Sequence, residues 1–308
     1  MLCILYVTAI GTLLGVIGVL VEGALPANTT RRRLVWCSTI ALSVLIPPVY
    51  RANHTSSVTD LMGGSAIGIV DAAWWQGTLS YNGFIRSAWL VASVMLVVWG
   101  VATAARVAVL LHRSRKSRGG QQQTVDGVSV LVTDSIGPAT VGVLKSKVVV
   151  PRWVLALPGV QRNYVLRHEE EHRRSHDSLL LFVASLTLLL TPWNLALWWQ
   201  LRRLRLAVEM DCDNRVVSAL GNAPAYGELL FRVAEASSRG PRLQPAFLGA
   251  GMLETRLKSL VLPATRNKMH ALLLPALACI LFAIVIAMPH PVVGSEQHNH
   301  TTMQPQTP

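Results

Sequence analysis

A chain of 308 residues with 51% hydrophobic and only 14% charged side chains, and a mean hydropathy of +0.41, is too apolar for a soluble protein of this length. It reads as a membrane protein. The net charge of +12 does not point to nucleic acid, because the Lys and Arg flank apolar runs as cytoplasmic ends of spans do. Cys3, Cys37, Cys212 and Cys279 are scattered without a C-x-x-C pair, so no disulfide framework or cysteine zinc site is implied.

Residues 2–21 form an uncharged run of about 20 residues, long enough to cross a hydrocarbon core of roughly 30 Å. A cleaved signal peptide would begin with basic residues. No Lys or Arg precedes this run, while Arg31, Arg32 and Arg33 follow it, so the N-terminus is expected outside. Residues 34–50, ending at Pro47 and Pro48, make a second span. Residues 51–86 are then an external loop, whose Trp74, Trp75 and Tyr81 suit an interfacial aromatic belt. Residues 88–111 make the third span, and HRSRKSR at 112–118 returns the chain to the cytoplasm.

A polar linker at 119–124 leads to two valine-rich stretches, 125–133 and 141–150, separated by a turn with Gly137 and Pro138. They are expected to form a small antiparallel sheet closed by Pro151. Its edge is either a plain structural hairpin or a place where an extended substrate adds as a strand.

LRHEEEHRRSHD follows at 166–177, with His168 and His172 four residues apart and Glu169 directly after the first histidine. On a helix the two imidazoles share one face and can hold one zinc. Glu169 stands where such sites keep a carboxylate that takes a proton from the attacking water, which is peptide-hydrolysis chemistry. Alone, the pattern also fits a charged, solvated helix. His176 lies one turn further on the same face and is a rival third ligand, without the spacing of the metzincin pattern.

Residues 178–200 are a long uncharged run interrupted by Thr191-Pro192-Trp193-Asn194. The arm before the break is about 14 residues, roughly 21 Å as a helix, short of a crossing. A third zinc ligand is needed beyond it, and Glu209 in AVEMDCDNRV at 207–216 is the next plausible one. A true crossing would strand Glu209 across the membrane from the histidines. The expectation is therefore a membrane-dipping hairpin that enters and leaves on the cytoplasmic side. Asp213, one turn beyond Glu209, is placed to accept the second N–H of a zinc-bound histidine. Arg202, Arg203 and Arg205 suit a helix emerging at an anionic membrane surface.

Residues 226–236 and 253–262 read as amphipathic helices packing on the catalytic part, with their basic side chains solvated or facing lipid headgroups. Residues 237–251 read as a flexible loop, and residues 271–288 as a fourth, outward span. Residues 289–308 are a polar tail, whose His290, His298 and His300 belong to a disordered segment more readily than to a metal site.

Four segments in this order resemble the integral-membrane zinc metallopeptidases that include the BlaR/MecR β-lactam sensor-transducers. They are PATVGVLKSKVVVP at 138–151, LRHEEEHRRSHD, the TPWN break, and VEMDCD at 208–213. In this family an HExxH helix with an aspartate soon after it is paired with a later E-x-x-C-D element. Here those residues are His168, Glu169, His172, Asp177, Glu209, Cys212 and Asp213. The resemblance implies zinc held by His168, His172 and Glu209, Glu169 as general base, and Asp213 behind the ligands. It also makes the 237–251 loop a candidate for self-cleavage. Glu170 and Glu171 depart from the small or apolar residues usual in the motif; they either face solvent or add negative charge near the metal.

The expected architecture is an α-helical membrane protein with an inserted α+β zincin-like (gluzincin) domain, four transmembrane helices and the dipping hairpin. Its divisions are residues 1–111 with three spans, a cytoplasm-facing peptidase domain at 112–270 including the hairpin at 178–200, the fourth span at 271–288, and the tail. Both termini lie outside a bacterial plasma membrane, and the active site lies on the cytoplasmic side. The substrate implied by the resemblance is a cytoplasmic protein such as a winged-helix repressor, or the chain itself, with a homodimer among the assemblies left open. The tail has no room for the penicillin-binding domain of the β-lactam receptors. The rival reading is a non-proteolytic, zinc-binding membrane signalling or scaffold protein.

Overall fold

The computed structural model describes residues 2–25, 31–54, 79–116, 122–133, 137–238, 246–261 and 268–287. Three helices open the chain: α1 (Leu2–Ala24), α2 (Arg31–His54) and α3 (Leu79–Lys116). Each contains a segment long and apolar enough to cross a membrane: Ile4–Ala24, Arg31–Val49 and Ser87–His112. The second is longer than expected, because α2 takes in Arg31 to Arg33 as its first turn and continues through Pro47 and Pro48. Trp74 and Trp75 lie outside the described residues, as do residues 289–308 with their three histidines.

The sheet corrects the sequence reading. Its four strands are β1 (Gln122–Val125), β2 (Val128–Thr133), β3 (Ala139–Val141) and β4 (Lys147–Pro151), in the order β1-β2-β4-β3. The two valine-rich stretches do meet, at β2 and β4, but in parallel, with Val130 opposite Val148 and Val132 opposite Val150. Each stretch instead folds into a separate antiparallel hairpin. In the first, Asp126 and Gly127 both have positive φ, 49° and 80°, as a two-residue type I′ turn requires. Part of the assumed linker is thereby drawn in as β1. In the second, Gly142 at φ 112° starts the turn between β3 and β4, where a Cβ would lie 2.7 Å from Lys145 O.

Short α4 (Arg152–Leu155) follows the sheet and leads into α5 (Gly159–Arg174). Tyr164, Val165 and Leu166 bury one face of α5 against Val130, Val132, Val148 and Val150, which anchors the turn just before His168. The helix ends at His176, whose φ of 54° is left-handed and turns the chain into α6 (Asp177–Leu190).

Helices α6 and α7 (Leu195–Leu220) form the hairpin expected around the TPWN break. Asn194 caps α7, its Oδ1 accepting from Ala196 N at 3.1 Å and Leu197 N at 3.4 Å. The carbonyls left open at the end of α6 are satisfied from α3: Trp89 Nε1 donates to Leu190 O at 3.1 Å and Ser93 Oγ to Leu189 O at 2.9 Å. Such caps are needed where no water is available. At the other end of the hairpin, Asp177 lies 3.8 Å from Arg215, so the pair is antiparallel and its two open ends adjoin. Buried Gln200 ties α7 to α1 by donating to Gly11 O at 2.7 Å. Gly15 permits the approach, since a Cβ there would meet the Trp199 ring at 2.7 Å.

The chain closes with α8 (Ala223–Ser238), α9 (Ala246–Val261) and α10 (Lys268–Ala287). Helix α9 starts inside the region read as a loop; residues 239–245 of that region lie outside the described residues. Helix α10, the expected fourth span, packs Ala278 and Val285 onto Ile10, Leu14 and Ile17 of α1.

Candidate metal centre

The 3.6-residue period of α5 stacks His168 and His172 on one face, with their Nε2 atoms 3.2 Å apart and their rings edge to face. Helix α7 lays Glu209 across them. Its Oε2 is 3.6 Å from His168 Nε2 and its Oε1 is 3.8 Å from His172 Nε2. Donors about 2.1 Å from one tetrahedral ion stand about 3.4 Å apart, so the three side chains are spaced to share a cation.

Cys212 also comes close to the histidines. Ligand atoms of His168, His172 and Cys212 all lie within 4.8 Å of one another. The thiol, however, sits behind His168, with Sγ 3.3 Å from Nδ1 and 3.3 Å from the main-chain O. Cys212 thus meets His168 on the Nδ1 side, whereas the Nε2 atoms of both histidines face Glu209.

Each histidine is steered by its Nδ1. His172 Nδ1 is 2.8 Å from Asp177 Oδ2, a buried carboxylate that also faces Arg33 at 3.4 Å. His168 Nδ1 is 2.9 Å from the Tyr226 hydroxyl, which donates to Asp213 Oδ1 at 2.7 Å. Asp213 itself is 3.5 Å from that nitrogen, so the expected direct bond from Asp213 is largely relayed through Tyr226. Asp213 is 1% exposed and takes a fork from Arg256, Nε and Nη2 both at 2.7 Å. Arg256 Nη1 reaches Glu209 Oε2 at 3.0 Å as well. Helices α8 and α9 thus pack on the centre as expected and supply Tyr226 and Arg256 to it, Arg256 facing two carboxylates there rather than solvent or headgroups.

Glu169 is 7% exposed and points toward β3. Thr140 Oγ1 lies 2.7 Å from its main-chain O and 3.1 Å from its Oε2, sharing one proton between them. The neighbouring glutamates do not add charge at the histidines. Glu170 is held by Arg173 at 2.7 Å and Arg174 at 2.9 Å, and Glu171 by Arg167 at 2.8 Å and Arg215 at 3.0 Å. Hydrogen bonds from Arg173, working against burial, keep the Glu170 carboxyl below the usual carboxylate range. His176 is exposed at the left-handed turn and stays out of the cluster.

The field at the centre favours positive charge. Burial alone would lower the His168 pKa, but the charge and hydrogen bond of Cys212, with Glu209 behind them, push it up to about 10. His172 likewise rises despite burial, through hydrogen bonds with Asp177, Cys212 and Glu209. Glu209 falls well below the carboxylate range because Arg256 and the histidines outweigh its desolvation.

Several apolar helices are thus joined to a histidine cluster able to hold a metal. Residues 37–260 match the family model described as BlaR1 peptidase M56, and the chain belongs to that family. No curated protein matches the chain.

Proposed function

We propose that the chain is an integral-membrane zinc endopeptidase. The observation that carries this reading is the convergence of His168 Nε2, His172 Nε2 and the two oxygens of the Glu209 carboxylate at 3.2 to 3.8 Å, beside a buried glutamate of the same helix as the histidines. Two imidazoles and a carboxylate suit zinc, and a set of three leaves a fourth position for water or substrate. A zinc ion held by these residues would supply Lewis-acid chemistry to the scissile carbonyl and the attacking water. Glu169 takes the proton of the attacking water on its carboxylate and passes it to the leaving amine nitrogen. Thr140 orients that carboxylate. Tyr226 and Asp177 hold the two imidazoles with Nδ1 turned away and Nε2 presented, and Asp213 and Arg256 fix Tyr226 and Glu209 in turn.

In this reading residues 112–270 are the zincin-like peptidase part, and α1, α2, α3 and α10 are four spans around the dipping hairpin; α1, α2 and α3 contain segments long and apolar enough to cross. Basic residues at 31–33 and 112–118 favour a cytoplasmic active site with both termini outside. The substrate is a cytoplasmic protein, by analogy with the family a winged-helix repressor, or the chain itself. The scaffold reading drew on Glu170 and Glu171, and their pairing with four arginines removes that support. Metal analysis of the purified full-length chain tests the proposal: one zinc per chain is expected, falling away in Glu209→Ala. Protein purified without chelators that carries no zinc and takes none up on addition would overturn it.

A further inference from the structure

Toward the N-terminal side of Glu209 on α7, an open cavity of about 210 Å³ lies between α7 and α9. Trp199, Arg202, Arg203 and Leu206 line it from α7, and Gly251, Met252 and Thr255 from α9. Two guanidiniums therefore share one small space. Arg203 is held from behind, with Nη2 on Glu22 at 2.6 Å and its guanidinium over the Trp36 ring at 5.4 Å. Its Nε is buried without a hydrogen-bond partner. Arg202 has no carboxylate partner among the described residues, and its Nη2 reaches across to Gly251, 3.5 Å from where a Cβ would stand.

The surroundings name the ligand. The cavity sits at the point on α7 where the apolar stretch ends and the arginines begin. Leading to it are exposed apolar side chains, Leu195 at 77% and Trp199 at 40%, a path that suits acyl chains. Arginine forks match phosphate oxygens, basic pockets between helices at the membrane surface take lipid head groups, and Trp belongs at that depth. We infer that the cavity between α7 and α9 binds the phosphodiester of one anionic phospholipid, held by Arg202 and Arg203 with Leu206 and Met252 against its glycerol. The bound lipid lies between the helix that carries Glu209, which holds its phosphate, and the helix that carries Arg256, whose Met252 meets its glycerol. The site itself does not depend on the proteolytic reading.

The test is lipid binding, read without any substrate. The full-length, metal-loaded chain is delipidated in neutral detergent and titrated with phosphatidylglycerol, phosphatidylcholine or inorganic phosphate, with adducts counted by native mass spectrometry. One phosphatidylglycerol is expected per chain, bound in clear preference to phosphatidylcholine and to inorganic phosphate. Arg202→Gln removes a charge without orphaning a partner and should weaken binding about fivefold. Gly251→Leu fills the cavity from the other wall and should weaken it as much. Lys258→Gln removes an equal charge from the outer face of α9, where Lys258 is 64% exposed, and should change nothing. Undiminished phosphatidylglycerol binding by both cavity variants would overturn the inference. So would an equal loss in Lys258→Gln, or inorganic phosphate binding as tightly as the lipid.

Discussion

Tyr226→Phe is the sharpest probe of the second layer, because it deletes one oxygen and leaves a ring that is 1% exposed in place. In the native chain that oxygen stands between His168 Nδ1 at 2.9 Å and Asp213 Oδ1 at 2.7 Å. Without it, His168 Nδ1 keeps the Cys212 thiol at 3.3 Å and the Asp213 oxygen at 3.5 Å. Loss of such an outer partner typically weakens metal binding about 10- to 100-fold. Since Asp213 can close part of the gap, the low end is expected, about tenfold or roughly 1.4 kcal/mol. Competition against a chromophoric zinc chelator at fixed pH measures this without a substrate. Because Tyr226 and Asp213 act in one chain of bonds, the losses of Tyr226→Phe and Asp213→Asn should not add in the double variant. An unchanged zinc affinity, or strictly additive losses, would refute the relay.

Two further substitutions test how the rest of the fold reaches the centre. Arg33 stands between buried Asp177 at 3.4 Å and Asp211 at 3.5 Å. Arg33→Ala should destabilise the chain by about 2 kcal/mol, less than a fully buried pair because Arg215 still serves both carboxylates. Thermal melting in detergent should show a clear drop, smaller in Arg33→Lys, and an unaltered melt would show that α2 does not brace the site. Gly142→Ala forces a Cβ to 2.7 Å from Lys145 O at a φ of 112°, costing about 1–3 kcal/mol. The displaced β3 should loosen Thr140 from Glu169, so proteolysis should fall while zinc content holds; full proteolysis in this variant would dismiss Thr140 as a positioning residue.

The parts of the site legible in the sequence were those with a local period or a strict chemical need. His168 and His172 are one turn apart, and the demand for a third ligand on their side pointed to Glu209 and made residues 178–200 a hairpin. Tyr226 and Arg256 were not legible. Helical periodicity reports that a face of α8 or α9 is buried, but not that an arginine on it meets an aspartate 43 residues away. The side of an apolar helix on which Arg202 finds a cavity is hidden for the same reason. Asp177 stood in the quoted motif, yet its role depends on the left-handed His176, which bends the chain back so that its carboxylate meets His172. In the sheet, the Asp126-Gly127 pair was a readable hairpin signal that the run of valines masked. The parallel pairing of β2 with β4 follows only once each stretch is seen as half of its own hairpin.

The central claim is that Glu169 moves the proton in a zinc-dependent peptide hydrolysis, and Glu169→Gln tests it most directly. Glutamine keeps the shape and the Thr140 contact but cannot accept the proton. Zinc content and proteolysis should be measured on the same reconstituted preparation, with a generic protein substrate or a co-reconstituted repressor. The expected result is one zinc per chain in both proteins, with cleavage by the wild type and none above background by the variant. Cleavage retained by a zinc-loaded Glu169→Gln chain would contradict the account.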